Sequence, residues 1–150
     1  MREILFICTG NYYRSRYAEA LFNHEASRRG LDWRAVSRGL AIHLAPPRGL
    51  SPHTIRQLQE RGIPRGGTGA DPVQAQESDF RRAVRVVALK ETEHRPLMVR
   101  LHPGWVNRIG YWEISDLDAA TPEVALGAIE TQVAALIREL EGAKSDPPAT

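Results

Sequence analysis

Ile4-Leu5-Phe6-Ile7-Cys8-Thr9-Gly10-Asn11-Tyr12-Tyr13-Arg14-Ser15 is the stretch on which the reading of this chain turns. It opens on an unbroken apolar run, the pattern of a strand buried on both faces. Gly10 and Asn11 then interrupt the run with two residue types that suit left-handed backbone. After Arg14 the period changes. Ala18, Leu21, Phe22 and Ala26 recur at helical spacing, and Gly30 is a stop. A buried strand passing through a tight arc into a helix points to an α/β domain with a parallel sheet.

The rest of the chain repeats the alternation. Residues 33–37 read as a second short strand, and residues 39–51, with Pro46, Pro47 and Gly49, as a surface loop. Ser51-Pro52 supplies a cap and a first-turn proline for a helix running to Arg61 before Gly62. A glycine-rich loop over 62–72 precedes a short helix around 75–82 and a third buried strand over 84–89. A helix around 92–101 ends before Pro103-Gly104, and Tyr111 and Trp112 favour a fourth strand at 109–114. Thr121-Pro122-Glu123 opens the last helix, whose apolar stripe from Leu126 to Leu140 ends at Gly142. No linker or repeat divides the chain. Residues 1–142 are expected to form one domain, and 143–150 a disordered polar tail.

At 150 residues and 42% hydrophobic content, a core can form without disulfides or a structural metal. The apolar runs are too short to span a bilayer, and Ile4 to Ile7 is too short for a signal-peptide core, so the expected location is cytoplasmic. The net charge of +2 is spread along the chain, 18 of the 20 basic residues being arginine. That spread makes neither nucleic acid nor a membrane an expected partner, although it favours an anionic substrate. His24, His43, His53, His94 and His102 do not pair at metal-ligand spacing, and are expected in surface or structural roles. One cysteine excludes intrachain disulfides and thiol-rich metal sites. Neither metal nor cofactor is expected.

Ligands of a parallel sheet bind outside the carboxyl ends of its strands, which directs attention to Cys8 and the arc after it. An arc from Cys8 to Arg14 that turns its backbone N–H groups inward, completed by a helix N-terminus, holds a tetrahedral oxyanion. Thr9, Gly10, Asn11, Tyr12, Tyr13, Arg14 and Ser15 are thus the candidate phosphate-binding residues, with Arg14 adding a planar fork for two phosphate oxygens. Helix N-terminus and arginine together favour a thiolate, the form of Cys8 that attacks phosphorus. Ser15 is placed to hydrogen-bond that thiolate and to help it leave. The bland alternative makes Cys8 a core residue and Arg14 a solvated one. The buried run before the arc, the Gly-Asn pair within it and the Ser-plus-helix pattern after it all count against that alternative.

Phe6-Ile7-Cys8-Thr9-Gly10-Asn11, with Arg14-Ser15 and Ala18-Glu19, resembles the phosphate loop of low-molecular-weight protein tyrosine phosphatases. The resemblance spans roughly residues 3–141, though beyond the loop it rests on element order. It implies a three-layer sandwich, a flavodoxin-like four-stranded parallel sheet of order 2-1-3-4 with helices on both faces. It also implies a protein-tyrosine phosphatase acting through a phosphocysteine on Cys8. An acid late in the chain belongs to the pattern. Asp116, in the segment Trp112 to Asp118, matches it best and would protonate the leaving oxygen and then deprotonate water; Asp118 is the second candidate, or a helix cap. The implied partner is a phosphotyrosine-containing protein or a small aryl phosphate, with phosphate or sulfate seating in the loop.

Four positions depart from the pattern. Tyr13 stands where the family often has a second cysteine, Arg16 where it has proline, Leu117 where proline follows the acid, and Tyr12 where an aliphatic residue or threonine is usual. Arg16 is expected to add charge at the pocket mouth; Tyr12 flanks an aromatic substrate or lies on the surface. Specificity is expected from Tyr12, Tyr13, part of the 39–51 loop and the residues after Asp116. Three other readings stay open: an arsenate reductase that uses an external thiol, a non-catalytic phospho-binding module, and a phosphatase of small metabolites or phosphoarginine.

Overall fold

The computed structural model describes residues 1–145. β1 (Arg2–Cys8) sits at the centre of a four-stranded sheet, and Ile4, Leu5, Phe6 and Ile7 are all fully buried because helices cover both faces. The strand order is β2-β1-β3-β4, with β2 at Trp33–Gly39, β3 at Arg85–Ala88 and β4 at Gly110–Tyr111, every pair parallel. The flavodoxin-like expectation is met.

Alternate residues of β1 feed two cores, as the period-2 geometry of a strand requires. Ile4, Phe6 and Cys8 pack with α1 (Arg14–Arg28) and the long last helix, α5 (Pro122–Ser145). Phe6 lies edge-on to Phe22 and against Trp112. Leu5 and Ile7 face the other way, onto Phe80 of α3 (Glu77–Arg82) and Met98 of α4 (Glu91–Leu101). α2 (Pro52–Arg61) lies beside α1 and α5. Its start is as read from sequence: Ser51 Oγ accepts the His53 N–H, and Gly62 ends it in the left-handed conformation.

Several element ends differ from expectation by a residue or more, and three of the differences have a clear physical setting. β2 runs two residues further, to Gly39, because Gly39 pairs with Cys8 and bridges to Gln74. Any Cβ at Gly39 would meet Ile42 Cγ2 at 2.6 Å and the Thr9 carbonyl at 2.8 Å, so this close approach requires glycine. β4 is reduced to two residues at the sheet edge, followed by an isolated bridge from Glu113 to Lys90. α5 continues through Gly142 to Ser145; a single surface glycine lowers helix stability without ending a helix flanked by good formers. The remainder of the expected tail, 146–150, lies outside the described residues.

The 39–51 loop is laced to the arc. Leu40 and Ala41 donate to the carbonyls of Cys8 and Thr9, and Ser51 donates to that of Tyr12. Such lacing brings Leu44, Ala45 and Pro46 over the end of β1.

Candidate active site

The arc after β1 turns its carbonyls outward. Those of Cys8, Thr9 and Tyr12 accept from the 39–51 loop and Ser51, that of Tyr13 from Tyr17 and Thr54 Oγ1, and that of Asn11 from Arg16. The backbone N–H groups of residues 9–15 have no acceptor among the described residues. α1 accordingly starts without a side-chain cap at Tyr13. Unpaired N–H groups converging at a helix N-terminus form an oxyanion cradle.

The expectation for the Gly-Asn pair is half met. Asn11 alone among non-glycine described residues has positive φ, 51°. Gly10 does not; it is required because a Cβ there would lie 2.5 Å from Ala45 Cβ.

Asn11 is locked at both ends of its amide. Its Nδ2 donates to Ser15 Oγ and Ser37 Oγ, each at 3.0 Å, and its Oδ1 accepts from Val73 N–H at 2.9 Å. Ser37 and Thr68 both donate to buried Glu19. Burial raises the Glu19 pKa, and these two donors oppose the shift.

Behind the loop lies Arg16. Only 1% exposed, it is not at the pocket mouth as expected. Its guanidinium reaches inward to the carbonyls of Asn11, Gly49 and Gly69 and to Thr68 Oγ1. A side chain with several donors is drawn to a buried cluster of backbone acceptors that would otherwise be unpaired.

Cys8, Arg14 and Asp116 come together in one pocket of about 230 Å³, also lined by Tyr12, Tyr13, Leu44, Ala45 and Pro46. Cys8 Sγ is 2.9 Å from Ser15 Oγ. Arg14 is 2% exposed, and its Nη2 is 3.5 Å from Asp116 Oδ2. Burial opposes the Arg14 charge, but Glu93 and the charges at Cys8 and Asp116 outweigh it and raise its pKa. Asp118 is exposed and makes no bond to a described residue, and the helix it was expected to cap is capped by Thr121 Oγ1 instead. The larger groove, about 680 Å³ near Trp33 and Gly66–Gly69, contains neither Cys8 nor Arg14.

Two features were not read from the sequence. Glu93, in the first turn of α4, grips Arg14 through both Nη atoms at 3.2 and 2.7 Å and accepts from the Thr9 hydroxyl. A signal existed, because residue 93 follows β3, the neighbour of β1, at the same carboxyl edge. The second is the Tyr13 hydroxyl, buried in the pocket wall without a partner among the described residues. Burial first, and then the Asp116 charge, push its pKa up to about 12. It is therefore a neutral donor throughout the physiological range.

A thiol, an arginine fork and a loop carboxylate around an oxyanion cradle at the end of a central parallel strand define a cysteine-dependent phosphatase. Comparison with known proteins agrees. Residues 3–144 match the model of the low molecular weight phosphotyrosine protein phosphatase, and the chain belongs to that family. A protein-arginine-phosphatase of Bacillus subtilis (strain 168) is 44% identical over 62 residues, which are 41% of this chain and 39% of that relative's length. Among solved structures, a low molecular weight protein tyrosine phosphatase from T. tengcongensis superposes with a TM-score of 0.77 at 25% identity, over 93% of this chain and 99% of the other. Vibrio vulnificus Wzb, in complex with benzylphosphonate, has a TM-score of 0.77 at 15% identity, over 92% and 98% of the two chains. No helix among the described residues is long and apolar enough to cross a membrane.

Proposed function

We propose that this chain is a protein-tyrosine phosphatase whose one catalytic domain, residues 1–142, hydrolyses phosphate monoesters through a phosphocysteine. The carrying observation is the meeting of Cys8, Arg14 and Asp116 in one pocket above a cradle of unpaired N–H groups. The phosphate dianion binds the N–H groups of residues 9–15 and the Arg14 fork. Cys8 thiolate attacks phosphorus in line, the P–O bond to the leaving group breaks, and Asp116 gives that oxygen its proton. Asp116 then takes a proton from water, whose oxygen attacks phosphorus while the S–P bond breaks. Phosphate leaves and Cys8 returns as thiolate, hydrogen-bonded by Ser15. The chemistry draws on no metal or cofactor.

Tyr12, Tyr13, Leu44 and Pro46 give the pocket an apolar, aromatic rim, which supports a phosphotyrosine or small aryl phosphate as substrate. The benzylphosphonate held by Wzb supports an aryl phosphate-like ligand. A nucleophilic thiolate works in a reducing compartment, which supports a cytoplasmic location. A second reading, phosphoarginine as substrate, is favoured by the identity to the Bacillus subtilis arginine phosphatase.

The test is hydrolysis of p-nitrophenyl phosphate from about pH 5 to 8 by wild type, Cys8→Ser and Asp116→Ala. Loss of turnover in Cys8→Ser and a fall of about 100-fold or more in Asp116→Ala are expected. Turnover by Cys8→Ser would exclude thiolate attack. Phosphotyrosine and phosphoarginine peptides, compared by kcat/KM, separate the two substrate readings.

A further inference from the structure

We infer that Glu93 is a positioning residue that decides which edge of Arg14 is offered to phosphate, an inference that rests on Arg14 being the phosphate clamp. A guanidinium has five N–H donors in a rigid plane. Both donors of Nη1 are used, one by Glu93 Oε1 at 3.2 Å and one by the Ile114 carbonyl at 2.9 Å. One donor of Nη2 goes to Glu93 Oε2 at 2.7 Å. Two donors remain, Nε–H and the second Nη2–H, and no described residue hydrogen-bonds to Nε. They lie side by side on one edge, the spacing that matches two oxygens of a phosphate. Asp116 Oδ2, 3.5 Å from that Nη2, stands beside this free edge.

Glu93 is itself held by Arg14 and by Thr9. The Thr9 hydroxyl donates to Oε2, so a single carboxylate from α4 braces both the first residue of the arc and its last. His94 is fully buried, and its Nδ1 accepts the Lys90 N–H at 2.9 Å. A neutral ring with Nδ1 as acceptor carries its proton on Nε2, which is buried 3.1 Å from Glu93 Oε2 without the alignment of a hydrogen bond. Burial works against the ionised Glu93, but the nearby His94 ring and the donors on Arg14 and Thr9 outweigh it and hold its pKa well below the usual carboxylate range. With Glu93 neutralised, Asp116 is the remaining carboxylate beside Arg14. Pairing there turns the free edge away from phosphate and occupies the acid.

The experiment is a double-mutant cycle of Glu93→Gln and Arg14→Lys, read by calorimetric binding of inorganic phosphate and by the melting temperature of each protein. In the wild-type background, Glu93→Gln is expected to weaken phosphate by about tenfold or more, the worth of one charge-assisted hydrogen bond, and to raise KM for p-nitrophenyl phosphate. In the Arg14→Lys background the same change is expected to cost less than about twofold, since the coupling runs through the guanidinium. Unchanged phosphate affinity with a lowered melting temperature, or equal penalties in both backgrounds, would overturn the assignment. If Glu93→Gln does not fold, Glu93→Asp keeps the charge but falls one methylene short of gripping both Nη atoms, and an intermediate loss is expected; no loss in a folded Glu93→Asp overturns it equally. Phosphate binding needs no turnover, so a wild type that binds phosphate and hydrolyses nothing would defeat the phosphatase reading without touching this one.

Discussion

Ser15 Oγ accepts from Asn11 Nδ2 at 3.0 Å, and its own proton is then free for the sulfur 2.9 Å away. A hydrogen bond to a charged sulfur is worth about 1.5–3 kcal/mol, so Ser15→Ala is expected to lower kcat by about 10- to 150-fold with little change in KM. Steady-state and burst kinetics with p-nitrophenyl phosphate check this. The Tyr13 hydroxyl presents the opposite case, a buried donor with no partner. Because an unsatisfied buried hydroxyl is destabilising, Tyr13→Phe is expected to melt at the same or a higher temperature, with kcat within about twofold. Cys8 and Arg14 were legible in the sequence because strand, arc and helix follow one another there without a gap. Gly10 was legible as necessary but for the wrong reason. Its constraint comes from Ala45, a through-space neighbour that no local pattern reveals.

Among elements, the arc stands out for being shaped from outside itself. Gly10→Ala drives a methyl into Ala45, an overpacking expected to cost about 1–3 kcal/mol and to lower phosphatase activity more than far-UV helicity. Thermal melts alongside kinetics separate the two effects. Arg16 ties together the arc, Gly49 of the first loop and the Thr68–Gly69 segment of the second. Arg16→Met strands several buried carbonyls and is expected to cost about 2 kcal/mol or more, a fall of roughly 4–8 °C in melting temperature. The sequence showed strands, helices and their order well, since burial on both faces of β1 and the stripe of α5 are strong periodic signals. It did not show that the arginine-rich composition conceals, besides Arg14, a second arginine turned inward. A residue's type records its average habit, whereas its burial is settled by carbonyls contributed from three distant segments.

On the scale of the whole molecule, acid sensitivity should begin with histidine. His94 and His102 have pKa values lowered chiefly by burial, with nearby carboxylates opposing the shift. A group with a lowered folded-state value stabilises above its unfolded value and loses that contribution as pH falls towards the folded one. The unfolded value for histidine is about 6.5, so the urea midpoint is expected to fall as pH drops below about 6.5. Glu93 has the same sign but an unfolded value near 4.3, so its contribution persists through that window and is lost only at strongly acid pH. Urea titrations at pH 5–8 of wild type and His94→Gln check the assignment, the variant being expected to show a shallower pH slope. The fold class, sheet order and family were all within reach of the sequence. The coupling of α4 to the arc was not, because the contact from Glu93 to Arg14 spans 79 positions and lies outside any local period.

Cys8 is the sole thiol in the chain, and it lies in the wall of the pocket. An alkylating reagent therefore has a single address, and the intact mass of a treated sample becomes a census of competent molecules. Each chain that gains one adduct counts as one accessible nucleophile, and each that gains none as blocked or oxidised. Inorganic phosphate in the pocket should slow the labelling. The concentration giving half protection then measures occupancy of the cradle directly, with no chromogenic substrate in the tube.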